Sequence, residues 1–255
     1  MSTADPERGP GAPEPPHEPG AARPARPRGG GVVAAVRETV LVVAVALVIS
    51  LVVKTFLLQA FYIPSQSMER TLDIGDRVVV SKLTPGPFTL HRGDVVVFAD
   101  PGGWLPATPE PERSPLGAVV ADVLTFVGLL PEDSDEHLIK RVVGLPGDHV
   151  VCCDAQGRIT VNDEPVDESG YLFPGAEPST KSFDVVVPED RLWVMGDNRA
   201  ESADSRYNTE AEYGGFVPIE NVVGRAYAVV WPLDHLDWLG TPEAFEDVPG
   251  RSGVG

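Results

Sequence analysis

The distribution of apolar residues divides the chain into three regions. Residues 1–31 contain eight prolines, six glycines and no Val, Ile, Leu or aromatic residue. Such a segment lacks the apolar surface that would offset the entropy lost on ordering, so we predict a disordered tail. A long apolar run follows, in which residues 39–53 carry no charge. Beyond residue 63, short runs of β-branched and apolar residues alternate with turn residues.

The apolar run from residue 39 to residue 63 is 25 residues long, enough to cross about 30 Å of hydrocarbon. It has no polar face, which argues against the core helix of a soluble protein. A cleaved signal peptide would need small residues at positions −3 and −1, but Leu58 would stand at −3 if Ala60 stood at −1. We therefore predict a retained transmembrane anchor over residues 32–63.

Eight runs beyond the anchor have the composition and length of β-strands. These runs are residues 77–80, 95–98, 139–143, 149–152, 159–161, 183–187, 192–195 and 222–230. The sequence therefore predicts a mainly β protein, in which a single N-terminal transmembrane helix precedes an antiparallel β domain at residues 64–238. Residues 100–136 interrupt the strand pattern as an insertion with a candidate helix at 116–130, and residues 239–255 are predicted to be a flexible C-terminal tail.

The charge of the chain is strongly acidic, because Asp and Glu outnumber Lys and Arg by 38 to 20. Such a surface argues against a nucleic-acid partner, since phosphate contacts need clustered positive charge. Arg23, Arg26, Arg28 and Arg37 precede the uncharged run that begins at residue 39, and no comparable cluster follows the apolar segment. The positive-inside rule therefore places the N-terminus in the cytoplasm and the β domain outside the membrane.

The two cysteines, Cys152 and Cys153, are neighbours and cannot build a C-x-x-C metal site. Thiols outside the cytoplasm tend to oxidise, and these two have only each other as an intrachain partner. We expect two free thiols in a buried strand, in preference to a strained ring. The chain also lacks the H-E-x-x-H, G-x-S-x-G, Walker A and G-x-G-x-x-G motifs, and we expect no metal and no cofactor.

Three segments hold candidate chemistry, although each has an ordinary structural interpretation. Residues 63–72 (IPSQSMERTL) put Ser65 and Ser67 at i and i+2 after a proline, which is usually a solvated turn. A serine nucleophile needs a fixed hydroxyl with N–H groups aimed at the oxyanion. Residues 137–148 (HLIKRVVGLPGD) place a lysine in an apolar run, where lysine is most often an edge residue. Residues 193–206 (WVMGDNRAESADSR) run from a hydrophobic strand into a polar loop.

Together and in this order, the three segments resemble those of the bacterial type I signal peptidases. These are membrane-anchored serine proteases that remove signal peptides from exported proteins. Two shorter segments, residues 75–76 and 92–94, also match, and the resemblance covers roughly residues 35–235. Arg70 stands where the family commonly has Pro, next to the region expected to hold substrate.

The resemblance implies roles for individual residues. Ser67 matches the nucleophile and Lys140 the general base, while Ser65 matches the residue whose hydroxyl joins the Ser67 backbone N–H in the oxyanion hole. Ser202 matches a serine that orients the lysine, and Asp204 and Arg206 match an ion pair that supports it. By the same resemblance, five apolar residues are candidates to line the substrate pockets: Ile63, Met68, Leu72, Leu138 and Ile139.

The resemblance implies a membrane-bound serine endopeptidase that cleaves N-terminal signal peptides from exported preproteins after small residues (Ala-x-Ala). Its partners would be those preproteins, the lipid bilayer and the protein-export machinery. Serine attack requires a base that is neutral at working pH, and an apolar setting for Lys140 supplies the necessary desolvation.

Two alternatives compete with this interpretation. A catalytically inactive, membrane-tethered β domain that binds exported or envelope proteins would have no need of Ser67, Lys140 and Ser202 together. A self-cleaving Ser/Lys protease of the repressor type is soluble and cytoplasmic, so the predicted anchor disfavours it.

The order of the segments also predicts the membrane topology. Because the apolar run ends at Ile63 and Ser67 follows four residues later, we expect the candidate active site at the outer membrane surface. A protease added to spheroplasts should digest the chain beyond residue 64 and spare the N-terminal tail, as detected with antibodies against each end. Digestion of the tail alone would overturn the predicted orientation.

Overall fold

The computed structural model describes residues 31–105 and 137–250. Nearly all of the predicted disordered tail, the candidate helix at 116–130 with most of the insertion, and residues 251–255 lie outside the described residues. By its internal contacts the chain divides into two units, residues 1–45 and 46–255.

One long helix, α1 (Gly31–Phe56), opens the described part of the chain. Its segment Val33–Val53 has a mean hydropathy of 2.4 and is long and apolar enough to cross a membrane. The predicted anchor extended to residue 63, but the helix ends at Phe56 and strand β1 (Leu58–Tyr62) begins two residues later. The backbone of β1 pairs with β2, and this pairing with a distant segment decides the conformation of an apolar run that is locally ambiguous.

Twelve strands form two sheets in the described residues. The strands are β1 (Leu58–Tyr62), β2 (Arg77–Ser81), β3 (Val95–Ala99), β4 (His137–Gly144), β5 (His149–Cys152), β6 (Ile159–Val161), β7 (Glu164–Pro165), β8 (Phe183–Val186), β9 (Arg191–Met195), β10 (Val217–Pro218), β11 (Val222–Trp231) and β12 (Asp237–Trp238). The larger sheet has the order β1-β2-β11-β3-β4-β9-β10, with β12 paired to β11, and the smaller sheet has the order β7-β6-β5-β8. Every pairing is antiparallel.

The predicted fold class, mainly antiparallel β with one N-terminal apolar helix, is confirmed. All eight predicted strands are present, with ends that differ by at most two residues. The strands that the sequence did not reveal are β1, hidden in the apolar run, and the two-residue strands β7, β10 and β12. A two-residue strand is too short to show any alternation, so only its pairing partner defines it.

The predicted insertion connects β3 to β4, which are neighbours in the larger sheet. Ala99, at the end of β3, pairs with His137, at the start of β4, so the chain leaves and re-enters the sheet at facing positions. Trp104 packs edge-on against Phe98, with 5.8 Å between the ring centroids. The insertion therefore starts and ends without altering the register of the strand that carries Lys140.

Strand β4 contributes to all three apolar clusters of the described β domain. Val143 belongs to a cluster with Ile159 and Trp193. Ile139 belongs to a second cluster, together with Ile63, Met68 and Leu72. Leu138 and Val142 belong to a third, together with Val96 and Phe98. Since successive side chains of a strand point to opposite faces, β4 is covered on both sides. A lysine in this strand is consequently held inside the protein.

The cysteines differ from the prediction. The sulfur atoms of Cys152 and Cys153 form a disulfide, so the expectation of two free thiols is wrong. Cys152 is buried at the end of β5, while Cys153 is exposed. Each sulfur takes as its partner the only other cysteine that the chain contains.

The C-terminal segment also differs from the prediction of a flexible tail over residues 239–255. Phe245 and Val248 are buried in the same cluster as Trp193. The ring of Phe245 stacks on that of Tyr171, with centroids 6.2 Å apart. The docking depends on two isolated apolar side chains, which make no periodic pattern in the sequence.

Candidate active site

Ser67 lies in a short 3-10 turn (Gln66–Met68) within the connection between β1 and β2. Ser65 enters this turn in an extended conformation, and Met68 is fully buried beneath it. The hydroxyl oxygens of Ser65 and Ser67 are 3.4 Å apart. The two hydroxyls therefore lie close together, and the buried Met68 side chain anchors the turn that holds them.

Lys140 extends from β4 towards this turn. Its Nζ donates hydrogen bonds to Ser67 Oγ at 2.8 Å and to the carbonyl oxygen of Ile139 at 2.9 Å. Only 4% of the Lys140 surface is exposed, and 5% of the Ser67 surface. Two residues 73 positions apart in the sequence thus form one buried pair.

Burial lowers the pKa of Lys140 from 10.5 to about 8, because desolvation disfavours the charged ammonium. The negative charges of Asp204 and then Asp197 act in the opposite direction and raise the pKa of Lys140. The result is a lysine that is neutral in an appreciable fraction of molecules near pH 8. A neutral amine beside a hydroxyl can accept its proton, which is the chemistry that activates a serine nucleophile.

Asp204 organises the polar loop that follows β9. Its carboxylate accepts hydrogen bonds from the backbone N–H of Gly196 at 3.0 Å and from the Ser202 hydroxyl at 2.8 Å. The guanidinium of Arg206 donates two more, from Nε and Nη2, both at 2.8 Å. The predicted ion pair of Asp204 with Arg206 is present. The Ser202 hydroxyl, which was predicted to orient Lys140, donates its hydrogen bond to Asp204. Lys140 donates to Ser67 and Ile139.

Gly196 and Asn198 also contact the turn of Ser67, and neither residue was predicted from the sequence to have a role. The N–H of Asn198 donates to the Ser67 carbonyl oxygen at 3.1 Å. A Cβ atom at Gly196 would overlap both that carbonyl oxygen and the Ser202 hydroxyl. The signal that could have revealed this contact is the Gly-Asp-Asn tripeptide at the end of a strand, since glycine is the default where two backbones approach closely.

A second buried ion pair lies beside the first. Arg141 donates to Asp197 from Nε at 2.8 Å and from Nη2 at 2.5 Å, and it also donates to the Gly93 carbonyl oxygen at 2.7 Å. The Thr71 hydroxyl donates to Asp197 at 2.5 Å. Asp197 therefore connects the strand of Lys140, the segment after Ser67 and the loop after β9.

The five apolar candidates for substrate pockets divide into two groups. Four of them share one cluster and are at least nine-tenths buried: Ile63, Met68, Leu72 and Ile139. Leu138 packs instead in the cluster of Phe98 and Val142. The structure thus brings four candidates together and places Leu138 with a different set of neighbours.

Among the described residues, no group of three or more His, Cys, Asp or Glu side chains is arranged to hold a metal ion.

Comparisons with known proteins match this arrangement to one family. The family model described as signal peptidase, peptidase S26, matches residues 36–231. A probable signal peptidase I of Mycobacterium leprae is 37% identical over 235 residues, which covers 82% of this chain and 80% of that protein. A signal peptidase I of Mycobacterium tuberculosis is 38% identical over 220 residues, which covers 78% of this chain and 74% of that protein.

One solved structure, a signal peptidase I of Enterococcus faecalis, aligns with 54% of this chain and 97% of its own at 23% identity. The TM-score of 0.32 is too low to argue from. The family model and the two mycobacterial relatives show the class to which this protein belongs, which is that of the peptidases. The chain belongs to the signal peptidase family S26.

The contact at Gly196 generates a prediction. Gly196→Ala should displace the Ser67 carbonyl or the Ser202 side chain, because the new methyl group overlaps both. A displacement of about 1 Å at a reacting group costs roughly 100-fold in rate, so we expect peptidase activity to fall by that factor. Gly170→Ala is the matched control, since nothing lies within 4 Å of its Cβ position. Equal turnover by the two variants in a peptide-cleavage assay would contradict the prediction that the close contact at Gly196 is needed for activity.

Proposed function

We propose that the protein is a membrane-bound serine endopeptidase that cleaves N-terminal signal peptides from exported preproteins, with Ser67 as nucleophile and Lys140 as general base. The observation that carries the proposal is the 2.8 Å contact between the buried Lys140 Nζ and the Ser67 hydroxyl. Family membership supplies the reaction class, and this contact supplies a pair able to perform it.

In the proposed mechanism, neutral Lys140 accepts the proton of the Ser67 hydroxyl while Oγ attacks the scissile carbonyl carbon. The C–N bond of the resulting tetrahedral intermediate then breaks, and Lys140 returns the proton to the leaving amine. Water, deprotonated by the same lysine, then attacks the acyl carbon, and Lys140 returns the proton to Ser67 Oγ as the bond between the acyl carbon and Oγ breaks. Each proton transfer uses Lys140 Nζ, which already lies within hydrogen-bond distance of Ser67 Oγ.

The developing oxyanion would be stabilised by the Ser65 hydroxyl together with the Ser67 backbone N–H. The 3.4 Å separation of the two serine hydroxyls supports this assignment. We assign a supporting role to Ser202, Asp204 and Arg206. Asp204 acts through its charge on Lys140, and Arg206 keeps that carboxylate paired inside the protein.

Specificity for small residues at positions −1 and −3 of the precursor is proposed from the apolar side chains next to Ser67. A substrate bound as an extended strand directs alternate side chains at the same surface. Because Ile63, Met68 and Leu72 are at most 1% exposed and Ile139 is 8% exposed, we propose that their cluster lies directly beneath that surface and sets the depth of shallow pockets, while Leu138 stays a weaker candidate. Closely packed side chains of this kind leave room for Ala and would clash with Leu.

The lipid bilayer and the protein-export machinery are the proposed partners besides the preprotein. The apolar segment Val33–Val53 supports a membrane anchor. Four large side chains near the end of the β domain are at least half exposed, which supports contact with lipid: Trp231, Leu233, Leu236 and Trp238. We propose an extracytoplasmic β domain and a cytoplasmic N-terminus on the arginine distribution described above.

The alternative of an inactive binding domain is not favoured. Burial of a lysine costs desolvation free energy, and without a catalytic role nothing would offset that cost. An apolar residue at this position would then make the protein more stable. Incubation of the purified protein with a precursor that carries Ala-x-Ala distinguishes the two functions. One defined cut supports the peptidase, and the absence of any cut in every detergent condition supports the binding domain.

The lowered pKa of Lys140 predicts the pH dependence of cleavage. With a pKa of about 8, the neutral base is roughly one tenth of the population at pH 7 and most of it at pH 9, so kcat/KM should rise with pH through about pH 8. Lys140→Arg should be as inactive as Ser67→Ala, because guanidinium does not deprotonate in this range.

Matched controls separate this role from a general effect of lysine replacement. Lys82→Arg and Lys181→Arg should keep nearly full turnover, and so should single replacements of His91, His137, His149 and His235. Each variant is assayed from pH 6 to pH 10 after a check that it is folded. A fully active Lys140→Arg, or a folded histidine variant without activity, would show that the dyad is wrong.

The proposed pockets predict how precursor variants are cleaved. Replacing Ala at position −1 with Leu should overpack the pocket, at a cost of about 1–3 kcal/mol. Cleavage at that bond should therefore fall by roughly 5- to 150-fold, whereas a change to Gly should preserve it. The rates are read from precursor and mature bands after gel electrophoresis. Retained cleavage of the Leu precursor at the same bond would exclude the pocket assignment.

A further inference from the structure

We propose that residues 241–249 are a positioning element for the Ser67–Lys140 pair. This C-terminal segment lies beyond the residues that match the family model, which end at 231. The proposal rests on the proposed function, because it concerns the geometry of the same pair. It assigns a purpose to a segment whose own side chains are remote from Ser67 in sequence and contribute nothing to the chemistry.

The segment is fastened to the β domain at both ends. Near its start, Arg225 Nη2 donates to the Thr241 hydroxyl at 3.4 Å. Near its end, Arg92 Nη2 and Asn162 Nδ2 donate to the Pro249 carbonyl oxygen at 3.4 Å and 2.9 Å. Its course over the surface is therefore set by hydrogen bonds from three separate parts of the domain.

Gly93 is the first link between the segment and the strand of the candidate base. An ideal Cβ at Gly93 would lie 2.7 Å from Pro242 Cδ and 2.9 Å from Phe245 Cδ2, so the segment covers this backbone at van der Waals distance. The carbonyl oxygen of the same residue accepts a hydrogen bond from Arg141 Nη1 at 2.7 Å. Gly93 is thus in contact with the segment and with Arg141.

Tyr171 is the second link. The Phe245 ring stacks on the Tyr171 ring with an interplanar angle of 15°. The guanidinium of Arg141 lies over the Tyr171 ring, 4.4 Å from its centroid. Phe245 therefore touches two of the groups that hold the Arg141 side chain, and removal of its ring would loosen both.

Arg141 connects these links to the reacting groups. It follows Lys140 directly in β4, whose backbone at this point is held by pairing with β3 and β9. Its guanidinium also holds Asp197, which stands between Gly196 and Asn198, the two residues that contact the Ser67 carbonyl oxygen. Displacement of the Arg141 side chain would therefore release Asp197 and shift the support of the nucleophile relative to the base, which the sheet keeps in place.

The test is Phe245→Ala in the full-length protein, with the precursor-cleavage assay as readout. We expect kcat to fall about tenfold with little change in KM, since the error is in the alignment of the pair and the pockets are untouched. The midpoint of the pH profile should move upward, because water that enters the loosened site weakens the desolvation of Lys140. The charged groups that face this lysine, Asp197 and Asp204, remain in place.

Controls distinguish positioning from a contribution to stability alone. Glu246→Ala changes the exposed neighbour of Phe245 and should match the wild type in kcat and pH midpoint. Phe245→Leu keeps most of the apolar volume but loses the ring stacking, so it should show a smaller decrease in kcat with the same direction of pH shift. This variant carries the test if Phe245→Ala does not fold.

The possible results lead to separate conclusions. A lower unfolding temperature with unchanged kcat and pH midpoint per folded molecule would overturn the positioning role and leave a structural one. Absence of cleavage by the wild-type protein would instead contradict the proposed function. A decrease in kcat with a shifted pH midpoint in the Phe245 variants, and neither change in Glu246→Ala, supports the proposal.

Discussion

The burial of one ammonium group beside one hydroxyl is the constraint on which the rest of the site depends. Lys140 is almost completely removed from water, and the desolvation of its charged form lowers its pKa to about 8. Two carboxylates, Asp204 and Asp197, oppose this shift and keep it moderate. The balance leaves a base that is protonated in part of the population and neutral in the rest, which is the condition that general-base chemistry requires near that pH.

The architecture brings that pair together by the position of β4. This strand lies between β3 and β9, and the loop after β9 carries Asp197 and Asp204 to the same side as the turn of Ser67. The three segments are remote in sequence, so no local interaction determines their meeting. The register of the sheet fixes it, because a slip of one residue in β4 would turn Lys140 to the opposite face.

The interior of this acidic protein contains a set of paired charges. Among the described residues, five buried carboxylates are paired with arginines: Asp94 with Arg225, Asp148 with Arg92, Glu168 with Arg199, Asp197 with Arg141, and Asp204 with Arg206. Arginine suits this use, because its planar fork matches a carboxylate in bidentate geometry and keeps its charge when buried. Loss of either member of a pair would leave an uncompensated buried charge.

The sequence by itself determined the fold class, eight of the twelve described strands and the three segments that carry the candidate residues, because alternation of apolar residues and short motifs are local properties. Only the tertiary structure decided that α1 stops at Phe56, that Phe245 docks a segment expected to be flexible, and that Ser202 donates to Asp204. These outcomes depend on contacts between residues far apart in the chain or on the choice among several polar partners. The local sequence pattern cannot predict these contacts, since the contact that forms is determined by packing and by the need of buried polar groups for hydrogen-bond partners.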